Sequence, residues 1–231
     1  MTRTSWSTEE LRTLLSSVSH DLRTPLSVIT GRASVLRATV REEHRRDLDT
    51  IVHEAQRLSR TLENLLAITE AYRENTPREW IPVEELVGGV LARLESSLEG
   101  RPVEIEVPDD LLAHIDPVRG ELLLANLVDH VATHTPPGSP IELTAKRDGH
   151  AVSIEVANRS AELRAVQAQQ LVTQRVTRAD GLGLAACHTI ISNYGGTIEA
   201  SERTGGGTVF HVHLPDGEEL PDLADPAKEA D

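Results

Sequence analysis

Apolar residues recur at positions 11, 15, 18, 22, 26, 29, 33 and 36, steps of three and four that trace one stripe along a helix. Ser7-Thr-Glu-Glu10, just ahead of the stripe, has the form of a capping box. A polar break, Arg41-Glu-Glu-His44, separates it from a second stripe at Ile51, Ala55, Leu58, Leu62, Leu65 and Leu66. Two long amphipathic helices with a short connection predict an antiparallel hairpin. Two helices alone cannot bury both stripes. Pairing with a second copy into a four-helix bundle is the expected completion, and packing on the second half of the same chain is the alternative.

Beyond a linker at Asn75-Thr-Pro77 the pattern becomes mixed. Helices are expected over 83–97, 118–133 and 184–194, and strands over 103–107, 140–146, 151–157, 196–201 and 207–213. Thr204-Gly-Gly-Gly207 supplies the turn between the last two strands. The expected fold class is α+β: an N-terminal helical hairpin (residues 1–76), then an α/β sandwich with helices on one face of a mixed sheet (77–214). Residues 215–231 carry seven acids against Lys228 alone, together with three prolines, and read as an acidic disordered tail.

Composition narrows the function. Aromatic residues make up 2% of the chain, too few for a stacking platform on single-stranded nucleic acid. The net charge of -14 repels a duplex or an anionic membrane surface. All of the excess lies beyond residue 76, where Lys146 is the one lysine before the tail. A lone cysteine, Cys187, excludes an internal disulfide. There is neither a membrane-length apolar run nor a signal-peptide pattern, so a cytoplasmic location is expected.

The chemistry is concentrated in Ser19-His-Asp-Leu-Arg-Thr-Pro-Leu26. On a helix Thr24 stands one turn above His20 on the same face, and Arg23 lies close to that face. Asp21 is about 100° around the helix and reaches the imidazole from the side. Its carboxylate can accept the N–H of one ring nitrogen and leave the other as a nucleophile. Thr24 can position a water for hydrolysis, and Arg23 can face phosphoryl oxygens or an acidic partner. Pro25 returns no N–H to the carbonyl of Asp21, so a kink is expected just past the site.

This string resembles the H-box of sensor histidine kinases. Similarity to the KdpD-like kinase core extends through Glu79-Trp-Ile-Pro-Val-Glu-Glu-Leu-Val87 and on to Leu214. The resemblance implies a dimerisation and phosphotransfer hairpin followed by a Bergerat-type ATP-binding sandwich. It further implies that His20 is phosphorylated, that Asp21 assists, that Thr24 supports dephosphorylation, and that a receiver-domain aspartate of a response regulator is the exchange partner.

The nucleotide motifs of that family are altered. Asn126-Leu-Val-Asp-His130-Val-Ala-Thr-His134 keeps the first N-box asparagine, Asn126, which could hold Mg²⁺ if ATP binds. His130 replaces the second, Thr133 the lysine and His134 the aromatic. The adenine-binding Asp-x-Gly-x-Gly becomes Asn158-Arg-Ser-Ala-Glu162, without its carboxylate or glycines. The stretch 171–178 lacks the family's phenylalanine, and the loop over the phosphates shrinks to Arg178-Ala-Asp180. Gly181-Leu-Gly183-Leu184 survives, with glycines at a helix N-terminus suited to phosphate, and Thr208 sits where the family often places a hydroxyl near adenine.

The expectation is a homodimeric phosphorelay protein, a histidine phosphotransferase or phosphatase that moves phosphoryl groups between His20 and receiver aspartates. An upstream kinase is a further possible partner. The ATP-like domain would be vestigial, with Asn126, His130, Asn158, Gly181, Gly183 and Thr208 as its remnants and no firm cofactor. The alternatives are an ATP-dependent kinase that phosphorylates its own His20 with Mg-ATP, and a scaffold without chemistry. His130/His134 and His211/His213 have pair spacing but no third ligand, so no metal site is expected.

Overall fold

The computed structural model describes residues 8–70, 78–95, 97–159 and 181–217. The Ser7–Glu10 cap, the 75–77 linker, most of the stretch after Asn158 and most of the acidic tail lie outside the described residues. The hairpin is formed by α1 (Thr8–Arg37) and α2 (Glu42–Glu70). The chain turns where Thr39 and Val40 donate their backbone N–H groups to the carbonyl of Leu36, at 2.9 and 3.0 Å. Glu42 and Glu43 open α2, their charge matching its N-terminal dipole. α1 runs through Pro25 as one helix, and the Ser27 hydroxyl donates to the carbonyl of Arg23 at 3.0 Å.

Leu26, Ala33 and Ala55 are buried in the hairpin, as is Ser19. Val18, Leu22, Ile29 and Leu36 of the α1 stripe remain 41–51% exposed. The second half of the chain packs against α2, and the α1 stripe stays open.

The second domain begins with β1 (Glu79–Pro82), which pairs antiparallel with β3 (Leu112–Ile115). A five-stranded sheet follows, in the order β2-β4-β5-β7-β6. Its strands are β2 (Val103–Glu106), β4 (Ile141–Arg147), β5 (Ala151–Asn158), β6 (Thr197–Glu202) and β7 (Thr208–Pro215). The β2–β4 pair is parallel and the others antiparallel, so the sheet is mixed. Three helices, α3 (Val83–Leu94), α4 (Pro117–Thr133) and α5 (Leu182–Asn193), accompany it. Their apolar sides join the sheet in one aliphatic core around Phe210, with Leu123, Leu127, Val128, Ile190 and Ile191 from the helices and Leu143, Val152 and Val156 from the strands.

Two elements differ from the sequence expectation. β1 and β3 were not anticipated: all four β3 residues are buried, so no alternation betrays the strand. The ordered chain also runs past Leu214. Pro215 ends β7, and Asp216 is 1% exposed, held by Arg147 at 2.7 and 2.9 Å. The first residues of the expected acidic tail therefore close the domain.

Local geometry explains the α4 start and the β6–β7 turn. Asp116 caps α4 by accepting the N–H of Arg119 at 2.9 Å, with Pro117 at the first helical position. Gly207 has φ +105°, and a Cβ there would lie 2.0 Å from the carbonyl oxygen of Asn158. Only glycine permits that approach.

Candidate functional site: a histidine face and a cavity between α2 and the second domain

His20 sits on the exposed side of α1, its side chain 78% accessible. Its Nδ1 lies 3.2 Å from Oδ1 of Asp21. A carboxylate can only accept, so this contact selects the tautomer with the proton on Nδ1 and leaves the Nε2 lone pair facing solvent. Arg23 and Thr24 are exposed on the same stretch of helix. All four residues of the expected site are thus together and open.

The remnants of the nucleotide motifs divide into two groups. Asn158 and Thr208 are both fully buried, and Asn158 Oδ1 accepts the Thr208 N–H at 3.3 Å. Asn126, His130, Thr133, His134 and Gly183 instead line a cavity of about 370 Å³, whose opposite wall is α2. Gly181, the N-cap of α5, makes no side-chain cap bond. Gly183 packs close to Asn126: a Cβ there would meet its Oδ1 at 3.2 Å, so the asparagine would have to shift by a few tenths of an ångström.

Asn126 is engaged across the domain boundary. Its Nδ2 donates to Asn64 Oδ1 at 2.7 Å, and both side chains are buried. Arg60 Nε lies 3.5 Å from Asp129 Oδ2, and Arg93 of α3 pairs with Glu63 of α2. His130 is 7% exposed, stacked on His134 at 4.2 Å and edge-on to Phe210 at 5.5 Å. Its buried Nε2 has no hydrogen-bond partner among the described residues. Desolvation, reinforced by the neighbouring His134, pushes its pKa down from 6.5 to about 3, so it is a neutral imidazole at any physiological pH. Among the described residues no cluster suits a metal ion built from His, Cys, Asp and Glu.

Sequence reasoning gave α2 no part in this site. The signal was present, however. His53, Arg57, Arg60, Thr61 and Asn64 recur at helical spacing, a polar stripe running beside the apolar one. Such a stripe normally faces solvent, and here it faces the second domain.

Comparison with known proteins agrees with this two-part layout. Residues 10–71 match the His Kinase A (phospho-acceptor) domain, and residues 115–218 match the histidine kinase-, DNA gyrase B- and HSP90-like ATPase domain. In that order the two domains make this chain a histidine-kinase core. It is 33% identical to the sensor protein KdpD of Escherichia coli over 90% of its length, spanning 25% of that protein. It is 27% identical to the sensor-like histidine kinase SenX3 of Mycobacterium tuberculosis over 88% of its length, spanning 53% of it. The chain therefore covers a quarter to a half of these relatives. Among solved structures, the catalytic domain of histidine kinase ThkA, in a nucleotide-free form, superposes with a TM-score of 0.55 at 25% identity, over 62% of this chain and 99% of that one. The Acinetobacter baumannii histidine kinase AdeS shares the fold over 86% of this chain and 98% of that one, with a TM-score of 0.60 at 20% identity. No helix among the described residues is long and apolar enough to cross a membrane.

Proposed function

We propose that this core phosphorylates His20 from ATP and passes the phosphoryl group to a receiver-domain aspartate of a response regulator. This departs from the sequence expectation of a nucleotide-independent phosphotransferase. The observation that carries it is the position of the cavity. Ser59 lies as far along α2 from the hairpin turn as His20 lies along α1, so the α2 wall at Arg57, Arg60 and Thr61 stands at the height of the acceptor histidine. The ATPase-type domain is docked against that wall with the α4–α5 edge that carries Asn126 and Gly183. The kinase domains matched at both ends of the chain support the same reading.

The residues present fit Mg-ATP at its phosphate end. Asn126 Oδ1 and the Asp129 carboxylate are oxygen ligands of the kind Mg²⁺ takes, and α5 presents its N-terminus to the cavity. Mg²⁺ would supply charge neutralisation on the phosphates. At the acceptor, Asp21 keeps the Nδ1 proton in place and stabilises the charge that develops on the ring. The Nε2 lone pair forms the N–P bond as the bond from the γ-phosphorus to the β,γ-bridging oxygen breaks and ADP leaves. Transfer onward reverses the roles: a receiver carboxylate attacks phosphorus and Nε2 is the leaving group. Thr24, one turn away, holds a water for draining the phosphoryl group. The exposed Val18, Leu22 and Ile29 are covered by a second copy in a four-helix bundle.

Incubation with γ-labelled ATP and Mg²⁺ tests this reading. Acid-labile label on the parent and none on His20→Gln is expected, and an unlabelled parent overturns it. One observation favours the nucleotide-independent alternative. Asn126 is tied to Asn64, and its neighbours are a neutral His130 and a threonine at position 133. Under that alternative His20 acquires phosphate from a phosphorylated receiver and never from ATP.

A further inference from the structure

We infer that the cavity between α2 and the α4–α5 wall is a polyphosphate site whose positive charge is lent by the hairpin, through Arg57 and Arg60. The α4 and α5 residues that line it include no lysine or arginine: Asn126, Asp129, His130, Thr133 and His134 come from the α4 end, and Leu182, Gly183 and Leu184 from α5. Among the described residues of the lining the strong cations stand on α2, with His53 a turn before them, so this wall takes its positive charge from across the interface.

Each arginine has an edge to spare. Arg57 contacts Glu54 through Nε and Nη2, at 2.9 and 2.8 Å, and is 56% exposed. Arg60 meets Asp129 through Nε. A guanidinium carries five N–H donors in a planar fork, so either group can hold its carboxylate and still donate to a phosphate oxygen. Among the described residues of the lining Asp129 is the one carboxylate, and Arg60 already offsets its charge.

The opposite wall adds a helix end: α5 begins at Gly181, and its first residues, Leu182 to Leu184, line the cavity, which sets the positive end of that helix against it. A volume of about 370 Å³ is enough for a triphosphate with part of its nucleoside.

The inference rests on the kinase reading for the natural ligand, ATP, but not for the chemistry of the site. One consequence separates it from a pocket confined to the ATPase-type domain. Binding should depend on α2, and should depend on phosphate rather than on the base.

Calorimetry on the full chain with ATP, adenosine and inorganic tripolyphosphate tests it, alongside Arg57→Gln, Arg60→Gln, the double variant and a double Arg→Lys variant. The parent is expected to bind ATP and tripolyphosphate. Each single glutamine variant should weaken both about tenfold, and the double about a hundredfold. The lysine variant should recover part of the loss, because charge is kept while the fork is not. Arg57 is solvent-exposed, so Arg57→Gln folds and carries the test should the double variant not. Equal tripolyphosphate binding by the parent and Arg57→Gln overturns the inference, as does a parent that binds ATP but not tripolyphosphate. Label from ATP reaching His20 at the parental rate in the double variant also overturns it, while leaving the kinase reading standing. Arginine-dependent tripolyphosphate binding without any label on His20 upholds the inference and removes the kinase reading.

Discussion

Replacing His130 by leucine should make the second domain less sensitive to acid. The folded protein holds this imidazole neutral, with its pKa pushed from 6.5 to about 3 by burial and by His134. The unfolded chain protonates it near the ordinary value, so between those two pH values the unfolded state binds more protons and stability rises with pH. The contribution is fully present above 6.5 and is lost as pH falls towards 3. At pH 5 the unfolded state gains about 2 kcal/mol from this one group, and the limiting loss is about 5 kcal/mol. Leucine is of similar volume and does not titrate. It also removes a buried Nε2 that has no partner among the described residues, which offsets the lost edge contact with Phe210. Stability at pH 7.5 should then stay within about 1 kcal/mol of the parent. Urea unfolding followed by circular dichroism at pH 7.5 and pH 5 measures both. The parent should lose about 2 kcal/mol more than the variant on acidification. Equal losses would mean that His130 is protonated in the folded state, and the reasoning fails.

Three other outcomes follow from the geometry. Asp21→Asn keeps the shape beside His20 but no longer holds the Nδ1 proton with a charge, so phosphorylation of His20 should slow by about a hundredfold, read as label incorporated over time. Gly207→Ala places a Cβ against the Asn158 carbonyl at φ +105° and should cost more than about 2 kcal/mol in denaturant unfolding; a smaller loss would show that the turn relaxes freely. Arg147→Met strands the 1%-exposed Asp216 carboxylate and should cost about 3 kcal/mol in denaturant unfolding at pH 7; a loss under about 1 kcal/mol would show that the carboxylate does not depend on Arg147.

The hairpin and the histidine face were legible because both are local. Helical spacing fixes which residues share a face, and Asp21 meets His20 through one turn of backbone. The sheet was legible wherever apolar and polar residues alternate, as in β4, β5 and β7. β1 and β3 escaped because they are four residues long and carry no period that separates strand from buried loop. The tail boundary was misplaced for a similar reason. Asp216 looks like the first of many solvated acids, and only long-range partners, the Arg147 guanidinium, the His114 ring and the His150 carbonyl, make it part of the domain. The α2 wall of the cavity is a long-range matter. The polar stripe that holds Arg57, Arg60 and Asn64 is visible in the sequence, but its spacing is the same whether solvent or a second domain faces it.

Mapping phosphate on the intact chain by mass spectrometry, with the ring nitrogen assigned by ³¹P NMR, tests the central claim most directly. With Mg-ATP as donor, the account predicts one phosphoryl group on residue 20, attached at Nε2 because Asp21 occupies Nδ1. A chain that stays unmodified with Mg-ATP, or carries its phosphate at another residue or on the Nδ1 side, contradicts it.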